Sequence, residues 1–152
     1  SIDSSHAVHD DCQSHTGSVL TLGKGAISSK SMKQKLNTKS STELELVAVD
    51  DMMGDVLWTN YFLKLQGYDI NKTIIEQDNQ SAILLERNGK ASSTKWTKHI
   101  HIQYFFITDR INKGKVEVQY CPTDDIIADF HTKPLQGKKF LKFRKLIMNE
   151  IN

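Results

Sequence analysis

KSSTELELVAVDD, residues Lys39–Asp51, is the stretch on which the fold turns. It opens an amphipathic helix with two glutamates in the first turn. Ser40 and Glu43 have the spacing of a capping box, and so do Thr42 and Glu45. A helix dipole also favours glutamate at this end. The helical period separates the two acids. Helical neighbours of Glu45 fall on Ala48, Val49, Met52, Met53 and Val56, whereas those of Glu43 fall on Leu46, Val47, Asp50, Asp51 and Gly54. Glu45 therefore heads the more apolar stripe. A carboxylate aimed into a core needs a partner, because burying a lone charge is costly. Capping and chemistry both remain open for Glu45 within this segment.

Outward from that helix, the punctuation is regular. The helix runs to about Gln66, with Gly67 as its stop. Upstream, SIDSSHAV (Ser1–Val8) alternates weakly as a strand, and HDDCQSHTG (His9–Gly17) is a polar turn. SVLTLG (Ser18–Gly23) and GAISSKS (Gly25–Ser31) form two short strands joined like a hairpin, and KQKLNTK (Lys33–Lys39) is a basic linker. Downstream, Thr73–Ile75 is the β-branched centre of a strand that ends at Asp78. NQSAILLERNG (Asn79–Gly89) is a short helix, KASSTKW (Lys90–Trp96) a polar loop, and Thr97–Gly114 a longer helix. KVEVQYC (Lys115–Cys121) alternates as a strand. Pro122 and Thr123 open a final helical region, interrupted near Pro134 and Gly137, with a tail from about residue 134. The order is three strands, helix, strand, two helices, strand, helix. This predicts an α/β domain with a mixed sheet.

The chain has 152 residues, with 38% apolar and 25% charged residues and two prolines, a globular profile for one domain. Because it opens directly on a strand, the natural chain is expected to extend upstream, with the first strand truncated. The net charge of +2 implies no strong global field. Two lysine-rich runs, Lys24–Lys35 and Lys133–Lys145, suit either a polyanion or a solvated helix face. Cys12 and Cys121 lack metal-site spacing, so a reducing compartment is expected. No apolar run approaches membrane-spanning length, so no membrane partner is expected.

Four acids stand at element ends or on inward faces: Asp3, Glu45, Asp78 and Asp129. Each also has a plain structural role open to it: exposed strand residue, cap, N-cap and solvated helix position. The stretches DSSHAV, SHTGSVLTLGKGAI, SSTELELVA, QDNQSAI, TKHIHIQYFFITDRI and YCPTDDIIADFHTKPLQGKKF run through nearly the whole chain. In their residues and order the chain resembles the ribonuclease H domain of copia-type LTR retrotransposon Pol polyproteins, which follows a reverse transcriptase.

The resemblance implies one domain over residues 1–152, with a ribonuclease H-like fold: a five-stranded mixed sheet flanked by helices. It implies that Asp3, Glu45, Asp78 and Asp129 bind two Mg²⁺ ions, for which Mn²⁺ can substitute, and that the domain cuts the RNA strand of RNA–DNA hybrids. It makes Glu45 the catalytic glutamate and leaves Glu43 a cap or surface residue. Oxygen-only ligands suit such hard cations, which would also relieve the repulsion among four carboxylates. The implied partners are the hybrid and the upstream reverse transcriptase, in a cytoplasmic virus-like particle or the nucleus. Lys95, Lys98 and His99 are expected phosphate contacts. Ser28, Ser29 and Asn79 are expected to meet ribose hydroxyls, since a hybrid is read by shape, backbone and 2′-OH.

CPTDD lacks the histidine that cellular ribonucleases H carry before the last aspartate, and His99 and His101 are the nearest candidates for it. Trp96 is expected in the core. The rival readings are a non-catalytic nucleic-acid-binding copy of the same fold, and another nuclease of the superfold such as an integrase.

Overall fold

The computed structural model describes residues 1–5, 13–36, 38, 40–88 and 98–150, and the backbone alone at residues 98–101. Among the described residues, five strands and four α-helices follow in the expected order. They are β1 (Ile2–Ser5), β2 (His15–Thr21), β3 (Ala26–Lys33), α1 (Ser41–Leu65), β4 (Thr73–Gln77), α2 (Gln80–Asn88), α3 (Lys98–Asn112), β5 (Val116–Tyr120) and α4 (Gly137–Met148). A 3₁₀ turn, Ile127–His131, stands between β5 and α4.

Capping sets the limits of α1. The Ser40 backbone is extended, and its hydroxyl accepts from the Glu43 amide at 3.2 Å. At the other end Gly67 turns to φ +89°, where a side chain would be strained. Its amide returns to Lys64 O and that of Tyr68 to Leu63 O, closing the helix with two backbone bonds. Between these caps, Ala48, Val49, Met52, Met53 and Val56 are buried as the apolar stripe predicts. They pack into one core with Ile2, Ile75, Ile83, Ile107, Val116 and Val118. Glu43, expected as a cap or surface residue, takes part in the Ser40 cap through its amide and is buried rather than at the surface.

The sheet differs from the expected five-stranded one. The described residues form an antiparallel sheet ordered β1-β2-β3 and a separate parallel pair, β4-β5. The parallel pair is joined through α2 and α3, as parallel neighbours require a crossover. β1 and β4 lie beside each other as the facing edges. A cavity of about 30 Å³, lined by Ile2, Ile75, Met52 and Val56 among others, occupies the seam between them.

The final helical region is interrupted around Pro134 as expected; a 3₁₀ turn stands before the break and α4, whose Phe143 is fully buried, after it. Stacked rings of Phe130 and Phe140, 5.2 Å apart, join the turn to the helix.

Candidate metal centre

Asp3, Glu45 and Asp78 converge from three elements. Asp3 points from β1, Glu45 stands in the first turns of α1, and Asp78 follows the last residue of β4. One carboxylate oxygen from each lies within 4.8 Å of the others. The local fold explains why Asp78 is available. The side chain that caps α2 belongs to Asn79, whose Oδ1 accepts from the Ala82 amide at 3.0 Å.

Short polar side chains hold the three acids. Ser4 Oγ donates to Glu45 Oε1 at 2.5 Å, and Thr123 Oγ1 donates to Asp78 Oδ2 at 2.7 Å. Thr132 Oγ1 donates to Asp3 Oδ2. Glu45 Oε2 is buried and has no hydrogen-bond partner among the described residues. That is a costly state for a charged oxygen unless a cation answers it.

Asp129 is buried in the 3₁₀ turn, and lysines take both its oxygens. Lys133 Nζ donates to Oδ1 at 2.5 Å, and Lys139 Nζ donates to Oδ2 at 2.9 Å. Lys133 Nζ also lies 3.5 Å from Asp3 Oδ2, so this ammonium bridges the fourth acid to the first.

The electrostatics record the crowding. Burial, then the charges of Asp3 and Asp78, push the Glu45 carboxyl up to about 8, against the Ser4 hydrogen bond and Lys133. Burial also pushes Asp3 up to about 6, with Asp129 and Asp78 adding to it, against Thr132 and Lys133. Burial works against the Lys133 charge, yet Asp129, Asp3 and Asp78 outweigh it and hold its pKa above the ordinary lysine value. Behind the cluster, Glu86 is fully buried on α2 with Oε2 accepting from Gln77 Nε2 at 2.7 Å. Burial, reinforced by the charge of Glu45, pushes its carboxyl up to about 8 as well.

Of the other candidates, Ser28 and Ser29 lie on β3 and Asn79 directly follows Asp78. The register pairs Asp3 with Gly17 and Gly17 with Ser31, while Ser29 and Ser28 pair with Val19 and Leu20. Ser28 is thus three residues, about 10 Å of strand, from the position level with Asp3. It lines an apolar groove with Leu22, Ile27, Trp58 and Phe62 instead. The Asn79 carbonyl oxygen is committed to the α2 cap. Lys95 and Trp96 lie outside the described residues, as do the side chains of Lys98, His99 and His101.

Ser4, Thr123, Thr132, Lys133 and Lys139 all touch the acids and were not singled out from sequence. A signal existed for Lys133, which stands four residues after Asp129, the spacing of a helical ion pair. Nothing local marks Lys139, which arrives from another helix.

A cluster of oxygen ligands with an unpartnered buried carboxylate oxygen fits a hard divalent cation. Related sequences agree with a retroelement origin. Over 138 residues, 91% of the chain, it is 31% identical to the retrovirus-related Pol polyprotein from transposon TNT 1-94 of Nicotiana tabacum. Over 139 residues it is 34% identical to the retrovirus-related Pol polyproteins from transposons RE1 and RE2 of Arabidopsis thaliana. The chain spans 9–10% of the length of these relatives. No family model matches the chain. No solved structure matches it.

Proposed function

We propose that this chain is the ribonuclease H segment of a retrotransposon Pol polyprotein, a divalent-metal-dependent endonuclease that cuts the RNA strand of RNA–DNA hybrids. The observation that carries the proposal is the convergence of Asp3, Glu45 and Asp78 from three elements to within 4.8 Å. The similarity to Pol polyproteins supports the retroelement context.

Asp3, Glu45 and Asp78, with Asp129 beside them, are the residues that would hold Mg²⁺ or Mn²⁺. Two such ions, when bound, supply a polarised water and charge compensation at the leaving 3′ oxygen. The chain's own part is to fix the acids. Ser4, Thr132 and Thr123 each present a hydroxyl to one carboxylate and so restrict its rotation.

Lys95, Lys98 and His99 are proposed to meet phosphates, and recognition is by backbone and 2′-OH with little base preference. The upstream reverse transcriptase is the proposed partner in the same polyprotein. No helix of the described residues is long and apolar enough to cross a membrane.

A second reading, a non-catalytic hybrid-binding copy, is favoured by the lysines that take both oxygens of Asp129. Cleavage of an end-labelled hybrid decides between them. The nuclease reading expects cuts in the RNA strand with Mg²⁺, none with EDTA and none from Asp78→Asn. Retained hybrid binding without cuts at any Mg²⁺ or Mn²⁺ concentration would establish the second reading.

A further inference from the structure

The geometry points to Lys139 as a positioning residue for the acid site: its ammonium ties Asp129 to the loop that carries Thr123, and through Thr123 to Asp78. This rests on the reading of the acids as a metal centre.

Lys139 lies in the first turn of α4, a helix that contributes no carboxylate to the cluster. Its Nζ donates to Asp129 Oδ2 at 2.9 Å and to the Thr123 carbonyl at 3.1 Å. It lies 3.6 Å from Asp124 Oδ1 and 5.4 Å from the centre of the Phe143 ring. The hydroxyl of that same Thr123 donates to Asp78 Oδ2 at 2.7 Å. One ammonium therefore links two acids that leave the core on different strands, one after β4 and one after β5.

The two lysines on Asp129 are held in different ways. Among the described residues the Lys133 ammonium is held by two carboxylates, those of Asp129 and Asp3. Lys139 is held by a carbonyl, a ring and two carboxylates. A group anchored at several points orients its partner, and outer partners that orient ligands set metal affinity. Position and charge then act with opposite sign. Removing a cation beside a metal centre should tighten metal binding by Coulomb's law alone, whereas removing an orienting group should weaken it.

The experiment is calorimetric titration of the 152-residue chain with Mg²⁺, with cleavage of a hybrid measured alongside. Lys139→Met is expected to weaken the Mg²⁺ midpoint by about tenfold or more. Lys139→Arg should recover most of that loss. Thr123→Val should weaken the midpoint in part, and the double variant no further than Lys139→Met alone, because both act along one path. Lys142→Met is the control: its ammonium binds Asp124 O and Asp125 in the same loop without touching the cluster, and its midpoint should match the parent. Mg²⁺ binding by Lys139→Met as tight as the parent's, or tighter, would overturn the proposal and make Lys139 a competing cation. If Lys139→Met does not fold, Thr123→Val decides, and a parent-like midpoint there overturns the proposal. A parent that binds no Mg²⁺ refutes the metal-centre reading itself, a different failure from a parent that binds and a Lys139→Met variant that binds equally well.

Discussion

Glu43 and Glu45 are both buried at the start of α1, yet their surroundings differ. The Glu43 amide closes the Ser40 cap, whereas the Glu45 carboxylate meets Ser4, Asp3 and Asp78. Glu45→Gln is expected to abolish Mg²⁺-dependent cleavage with the fold intact, because an amide is a weaker metal ligand. Glu43→Gln should keep cleavage and cost about 0.3–1 kcal/mol of stability, the scale of a first-turn charge on the helix dipole, since the backbone amide that closes the Ser40 cap remains. Assaying both variants beside their denaturant curves checks this, and equal loss of activity would refute the division of roles. The apolar stripe marked Glu45 in the sequence. The burial of Glu43 was not marked, because it depends on what packs over the helix start. Protonation gives a second expectation. Asp3, Glu45 and Glu86 have folded pKa values raised to about 6, 8 and 8. A raised carboxyl binds its proton more tightly folded than unfolded. Its stabilising share is complete below the ordinary carboxylate range and is lost as pH climbs to the folded value. In EDTA the melting temperature should therefore fall between about pH 5 and pH 8. Mg²⁺ needs deprotonated ligands, so the increment it adds should grow across the same window. Melting curves with and without Mg²⁺ at several pH values test both signs.

At the scale of elements, β2 and the 3₁₀ turn meet at a glycine. A Cβ on Gly17 would lie 2.6 Å from Thr132 Cγ2 and 2.8 Å from Ala128 O, closer than carbon atoms sit. The missing side chain lets the turn lie against the strand and bring the Thr132 hydroxyl to Asp3. Gly17→Ala should push the turn away, cost about 1–3 kcal/mol as overpacking does, and weaken Mg²⁺ binding at once. Urea unfolding and Mg²⁺ titration of the variant measure the two effects; a stability loss with unchanged binding would show that the Thr132 contact is dispensable. The strands and helices themselves were legible, because periods of two and 3.6 residues are local properties of the chain. The 3₁₀ turn was not, because Ile126 and Ile127 serve an α-helix equally well. The lysine-rich run Lys133–Lys145 was legible only as charge. Lys133, Lys139 and Lys142 spend much of that charge on the protein's own acids.

For the molecule as a whole, the pairing of edges was the part hidden from sequence. Alternation identifies a strand, but it does not say which neighbour its outer edge finds. Ser1 and Val19 exchange both backbone bonds, at 2.9 Å each. By the antiparallel pattern Asp3 and Gly17 form the next such pair, which turns the amides of Ile2 and Ser4 toward β4. Hydrogen exchange should then find Ile2 and Ser4 faster than Asp3. Equal protection would mean that β1 and β4 share a ladder, making one sheet of five strands. The hydrogen bond from Thr132 to Asp3 spans 129 positions. At about 5–20 residues per second, a ribosome takes roughly six to thirty seconds to make the chain between them. Throughout that interval the first acid has been synthesised and the groups that neutralise and orient it have not. The acid cluster is therefore a late product of synthesis, and a nascent chain halted before the 3₁₀ turn carries Asp3, Glu45 and Asp78 without Asp129 and without Thr132 and Lys133, the groups that hold Asp3.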